Sequence, residues 1–203
     1  SSMAVGSRCP WLLPGVGAVA SQNITLPSLG PQILSALEAG ASVEQALNLA
    51  LAEDRFREYR QVAAIDANGD TAVFSGEFTL GIGGALAGDN CVAAGNLLAD
   101  PNVIVAMINA FEQQTGHLAD RLIAAMQAGL AAGGEAGPVH SSALSIVDSH
   151  VWPIVDLRVD WTDADPIDEL GKLWRAYQPQ MQDYLTRALD PRSAPGYGVP
   201  GDE

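Results

Sequence analysis

Tyr59-Arg60-Gln61-Val62-Ala63-Ala64-Ile65-Asp66-Ala67-Asn68-Gly69-Asp70-Thr71-Ala72-Val73-Phe74 is the stretch whose reading decides the fold. Two runs of β-type residues flank Ala67-Asn68-Gly69-Asp70. An Asn-Gly turn between such runs is the strongest short-range sign of a hairpin. A hairpin joins antiparallel strands, so an antiparallel sheet is expected around it.

The neighbouring segments extend this pattern. Gly15 to Gln22 is a run of small and β-branched residues suited to the middle of a sheet. Asn23 to Pro31 reads as a turn. Ile33, Leu34 and Leu37 recur at helical spacing before Gly40. Ser42 reads as the N-cap of a second helix, with Val43, Ala46, Leu47 and Leu51 on one face. Gly81 to Gly88 holds four glycines in eight residues and reads as a loop. Cys91 to Leu98 reads as a strand ending near Gly95-Asn96. Asn102 to Gln114 and Leu118 to Leu130 form a helical pair joined by Thr115-Gly116-His117. Ala143 to Asp148 and Ile154 to Trp161 read as strands. Asp165-Pro166 opens a helix through Tyr177, and Gln182 to Leu189 reads as another. Strands then helices, twice over, is an α+β order. One domain is expected over residues 1–177, with a C-terminal helix and docking tail over 178–203.

Composition narrows the function classes. The 203 residues are 48% hydrophobic and 17% charged, which suits a folded core. The net charge is −14, so nucleic-acid backbones would be repelled. Two cysteines, Cys9 and Cys91, are too few for a disulfide framework. No apolar run approaches the ~20 residues of a membrane span. A cytoplasmic protein without membrane or nucleic-acid partners is expected. Its apolar helical surfaces make a homo-oligomer, at least a dimer, the expectation.

No phosphate loop, dinucleotide fingerprint or nucleophile elbow is present. His117 follows a helix break and is expected at the surface. His140 and His150 flank one strand and could reach a common cleft. None has metal-ligand spacing, so neither metal nor cofactor is expected. Gln22 and Asn23 close a strand, where amides either donate to a developing oxyanion or make ordinary turn hydrogen bonds. Gly95-Asn96 suits an oxyanion hole or a bulge. Asp156-Leu157-Arg158-Val159-Asp160 alternates as either a solvated strand edge or an Arg158 held by Asp156 and Asp160 to clamp a carboxylate or carbonyl.

The chain opens Ser1-Ser2-Met3, directly before Cys9-Pro10-Trp11. A serine with a free α-amino group carries nucleophile and base on one residue, since that amine titrates near ~8. Self-cleavage would create it. Tag removal upstream of Met3 or an arbitrary boundary would leave the same residues.

Ala4-Val5-Gly6-Ser7, Pro10-Trp11, Gly15 through Gln22, Arg60-Gln61-Val62-Ala63, Gly95 through Ala99, Ala110-Phe111-Glu112, Leu118 through Leu122 and Asp156 through Asp160 form an ordered set. Together they resemble the bacterial family catalogued as domain of unknown function 1028, grouped with the Ntn-hydrolases. The resemblance spans about the whole chain. It implies a four-layer αββα sandwich and a first strand on a short upstream peptide of the same precursor, which stays bound. Many members carry basic residues between a Gly-Gly-Asp and a Ser-Ala. Here Gly133 through Ala143 lacks them, and Glu135 keeps the acidic position.

The expected function is a self-processing amidohydrolase for a small amide, ureido compound or lactam. Ser1 is the expected nucleophile, with Asn96 and Gln22 or Asn23 as oxyanion donors. Arg158, Glu135, Ser2 and Ser142 are the expected substrate contacts. The alternative is a non-catalytic binding or assembly protein on the same sandwich.

Overall fold

The computed structural model describes residues 2–199. Its strands are β1 (Pro10–Leu13), β2 (Gly17–Asn23), β3 (Arg60–Asp66), β4 (Thr71–Ser75), β5 (Ile82–Gly88), β6 (Cys91–Leu98), β7 (Ser142–Ile146) and β8 (Val155–Val159). Its helices are α1 (Leu29–Glu38), α2 (Val43–Glu53), α3 (Asn102–Gln113), α4 (Leu118–Ala131) and α5 (Pro166–Leu189). The fold is mixed α and β, and every strand pair is antiparallel.

β1 to β4 form one sheet in chain order, and β5–β6 and β7–β8 are separate two-stranded sheets. The Asn68-Gly69 turn joins β3 to β4. Asp66 Oδ1 accepts from both Asn68 N and Asp70 N, and Gly69 takes φ +91°. The β1–β2 hairpin brackets Gly15, also at positive φ. β1 goes unrecognised in the sequence because Pro10 cannot donate to a ladder. It is tolerated here as the first residue of an edge strand.

β3 is buried on both faces, so it does not alternate. Val62 and Ala64 pack with Val19 against Leu29, Ile33, Val43, Ala46 and Leu47 of α1 and α2. Side chains alternate along a strand, so Gln61 and Ala63 face the other way, where β3 packs against β6. α2 starts at the expected N-cap. Ser42 Oγ accepts from Gln45 N while Gln45 Oε1 accepts from Ser42 N, a reciprocal capping box. At the other end of α2, Asp54 Oδ2 pairs with Arg60 Nε at 2.7 Å, almost out of solvent.

A second core joins Cys91, Ala93 and Leu98 to Val103, Ile104, Ile108 and Phe111 of α3. A third joins Leu144, Ile146, Val155 and Val159 to Leu170 and Trp174 of α5 and Ile123 of α4.

Two element assignments change. Gly81 to Gly88 is mostly strand β5, because pairing with β6 overrides a poor local propensity. Glycine is needed at Gly88, where a Cβ would overlap the packed Ile108 Cγ2 of α3 and Cys91 Sγ of β6 as well as Glu112 Oε1. The two C-terminal helices are one helix, α5, running through Pro179. Leu170, Trp174, Tyr177 and Met181 continue one apolar stripe against the β7–β8 core across that proline. The packing of that stripe offsets the one hydrogen bond proline removes. Among the described residues no helix is long and apolar enough to cross a membrane.

Candidate active site

The most constrained polar group in the fold is Gln61, which is fully buried on β3. Its Nε2 donates to Gly95 O at 2.9 Å and Ser75 Oγ at 3.0 Å, with Gly84 O at 3.4 Å. Carbonyl oxygens only accept, so this end of the amide is the amino end. The carbonyl end therefore faces Gln22 and Asn96. Gln22 Nε2 donates to Gln61 Oε1 at 2.8 Å, and Asn96 Nδ2 donates to it at 3.2 Å. Gln22 and Gln61 are direct cross-strand partners, while Asn96 comes from the other sheet.

Two sequence candidates thus meet on a residue that sequence reasoning did not single out. An amide at the head of the apolar run Val62-Ala63-Ala64, on a strand buried on both faces, was the available sign, because a buried amide must be fully partnered. Gln61 is saturated. Each amino group of Gln22 and Asn96 spends one N–H on it and has a second N–H to offer. Among the described residues, the hydrogen-bond partners of Gln61 Oε1 and Nε2 are all uncharged groups.

The backbone beside both donors is strained. Asn23 follows Gln22 at φ +67°, and Leu97 follows Asn96 at φ +52°. A leucine in this region is unusual and costs roughly 1–3 kcal/mol, a cost often found at functional sites. Leu97 is held there by Leu97 N to Leu80 O and by Ala136 N to Leu97 O.

Asn23 uses both ends of its amide on backbone. Its Nδ2 donates to Tyr59 O and Phe78 O, and its Oδ1 accepts from Leu80 N. That is the turn-stabilising alternative, and it leaves Gln22 and Asn96 as the amides at Gln61.

The other candidates lie along one loop and the third sheet. Glu135 forms a β-bridge with Leu98, two residues after Asn96. The same loop ends at Ser141, whose Oγ donates to Ser2 O at 2.6 Å. The loop therefore links the Asn96 strand to the N-terminal segment. Ser2 Oγ accepts from Arg8 Nη2. Ser142 is buried, and its hydroxyl donates to Pro166 O at the start of α5. Arg158 is paired in fork geometry with Asp160, two residues along its own strand. Ser1 lies outside the described residues.

The histidines do not converge. His140 and His150 stand at opposite ends of β7, stacked on Trp161 and Trp152 respectively. His117 is not a plain surface residue. Its Nδ1 caps α4 by accepting from Ala119 N, and its ring lies tilted against Trp174. Among the described residues no three His, Cys, Asp or Glu side chains gather as a metal-holding group.

Two surface clefts are lined by other residues. One of about 320 Å³ lies among Trp152, Ile154, Tyr177, Met181 and Tyr184. The other, about 410 Å³, lies between α1 and α2. Both are open hollows; the first is mainly aromatic, the second is edged by Gln32, Ser35 and Glu53, and neither has the interlocked side-chain amides of the Gln61 cluster, which remains the better chemical candidate.

Comparison with known proteins matches residues 1–170 to the family described as "Family of unknown function (DUF1028)". A crystal structure from Silicibacter pomeroyi, assigned to the same family, is 31% identical with a TM-score of 0.83. The match covers 90% of this chain and 80% of that one. No curated protein matches the chain.

Proposed function

The chain belongs to the DUF1028 family, and on that premise we propose that it is a self-processing N-terminal-nucleophile amidohydrolase. It cleaves a C–N bond, other than a peptide bond, in a small amide, ureido compound or lactam. The observation that carries this reading is the pair of amide donors, Gln22 and Asn96, oriented by the buried Gln61.

In this reading the fold is a four-layer αββα sandwich of the Ntn-hydrolase type. The contacts of α1 and α2 with the β1–β4 sheet, of β3 with β6, and of α3 with β5 and β6 support such layering. Ser1 Oγ attacks the substrate carbonyl carbon. The Ser1 α-amine takes the hydroxyl proton through a water and returns it to the leaving nitrogen. The free N–H groups of Gln22 and Asn96 receive the oxyanion. Water then hydrolyses the acyl-serine ester and restores Ser1. One oxyanion donor is worth ~3 kcal/mol in the transition state. The Glu135–Ser141 loop joins the Asn96 strand to Ser2 and sets the substrate's other boundary. The short peptide released upstream of Ser1 stays paired with the fold, and the protein assembles as a homo-oligomer.

The test is the N-terminus of the protein purified from its natural source. Intact mass and N-terminal sequencing are expected to find Ser1 free, with a short companion peptide. Ser1→Ala in the natural gene is expected to give one uncut chain. A chain that runs continuously through Ser1, or a normally cut S1A protein, contradicts the mechanism.

The second reading is a non-catalytic binding or assembly protein on the same sandwich. The position of the aromatic cleft at Trp152, Tyr177 and Tyr184, away from the amides, favours it. An uncut chain that binds without turnover identifies it.

A further inference from the structure

The geometry points to the segment Gly76–Gly81 as a lid over the amide site, with Asn23 as its latch. The segment connects β4 to β5 and bridges the two strands that carry the donors. Asn23, next to Gln22, holds Phe78 O and Leu80 N. The carbonyl of the same Leu80 accepts from the N–H of Leu97, next to Asn96, at 2.8 Å. Opening the segment would therefore break hydrogen bonds made by the residue after each donor, leaving Asn23 its bond to Tyr59 O and Leu97 its bond from Ala136 N.

Its build suits movement. Glycines bound it. Gly76 is buried so closely against Glu58 that a Cβ there would overlap Glu58 backbone, which makes it a fixed anchor. Gly81 takes φ +61° beside Leu97, a conformation open to glycine. Between them Phe78 and Leu80 are 47% and 45% exposed. The segment gains little from apolar burial and is held mainly by hydrogen bonds and by the Phe78–Tyr59 ring contact. Segments held this way open locally at lower free energy than core strands. Such glycine-bounded lids are how active sites exclude water and admit substrate.

Asn23 in this scheme is a positioning residue, and its positive φ belongs to the latch. The inference rests on the reading of Gln22 and Asn96 as the site, yet its test reads only local opening. A lid without turnover and turnover without a lid are therefore distinguishable results.

The test is native-state hydrogen exchange on the full chain. The amides of Phe78, Leu80 and Leu97 are expected to exchange through a local opening, faster than those of β3. Asn23→Gly keeps access to positive φ and removes the latch. It is expected to speed exchange at Leu80 and Leu97 by about tenfold or more, leaving β3 unchanged. Asn23→Asp is the second variant, should N23G fail to assemble: it keeps the acceptor for Leu80 N but sets a carboxylate oxygen against Tyr59 O and Phe78 O, so faster exchange at Leu80 and Leu97 relative to β3 is again expected. Exchange of Leu80 and Leu97 only together with β3, in the wild type and in N23D, overturns the lid.

Discussion

Replacing Gln61 with leucine is expected to lower the unfolding free energy by about 3–5 kcal/mol. The side chain is similar in size, so the effect comes from polarity, not from a cavity. Gly95 O loses its 2.9 Å partner, and the amino groups of Gln22 and Asn96 lose their shared acceptor. Gln22, Gly95 and Asn96 are half-buried, so each group left without a partner costs about 1 kcal/mol or somewhat more, the low end of the range for buried groups. Gln61→Glu tests the assigned orientation of the amide. One carboxylate oxygen would face Gly95 O, an acceptor against an acceptor, in a fully buried position. The charged form is penalised, so the glutamate's folded pKa rises above its unfolded value near ~4.3. Q61E is then weakest at neutral pH and regains stability as pH falls towards that unfolded value. Denaturant unfolding at several pH values measures both effects. A pH-independent Q61E, or a Q61L within about 1 kcal/mol of wild type, would show that the network does not hold the site.

The second large effect is expected at the Asp54–Arg60 pair, which ties the end of α2 to the start of β3. Both side chains are nearly buried, at 6% and 10% exposure. Arg60 also donates to Ile24 O, and Asp54 accepts from Phe56 N. Asp54→Ala strands the guanidinium without its counter-charge and is expected to cost about 3–5 kcal/mol. Substituting both residues by apolar ones of similar volume should cost much less, because no unpaired buried charge remains. Burial alone would raise the Asp54 carboxyl, but the Arg60 hydrogen bond, the Phe56 N–H and the Arg60 charge outweigh it and hold it below its ordinary value of 3.8. The folded value is the lower one. The pair's contribution is therefore present above 3.8 and lost as pH falls through the depressed folded value. Acid unfolding of the wild type should carry this component, and D54A should lack it.

The sequence made some of this legible and hid the rest for physical reasons. The Asn68-Gly69 hairpin and the Ser42 capping box are local, with their chemistry written in a few adjacent residues, and both stand as read. β5 is not local. Its glycines look like a loop until β6 supplies hydrogen bonds and α3 crowds Gly88. α5 looked broken at Pro179 because propensity sees the proline and not the stripe from Leu170 to Met181. The convergence of Gln22 and Asn96 is also a tertiary fact. Each stood out as an amide at a strand end, but residues so far apart in sequence meet only through the sheet stacking that buries Gln61. Ser142 illustrates the reverse. It stands among the expected substrate contacts, and its hydroxyl is committed to Pro166 O in the first turn of α5.

Ammonia release from a panel of small primary amides and ureido compounds, by the natural protein and by its Asn96→Ala variant, bears most directly on the amide pair as a catalytic site. Turnover of at least one class by the wild type is expected, reduced by about 10²–10³ in N96A. No release from any member, or undiminished release by N96A, would contradict the assignment.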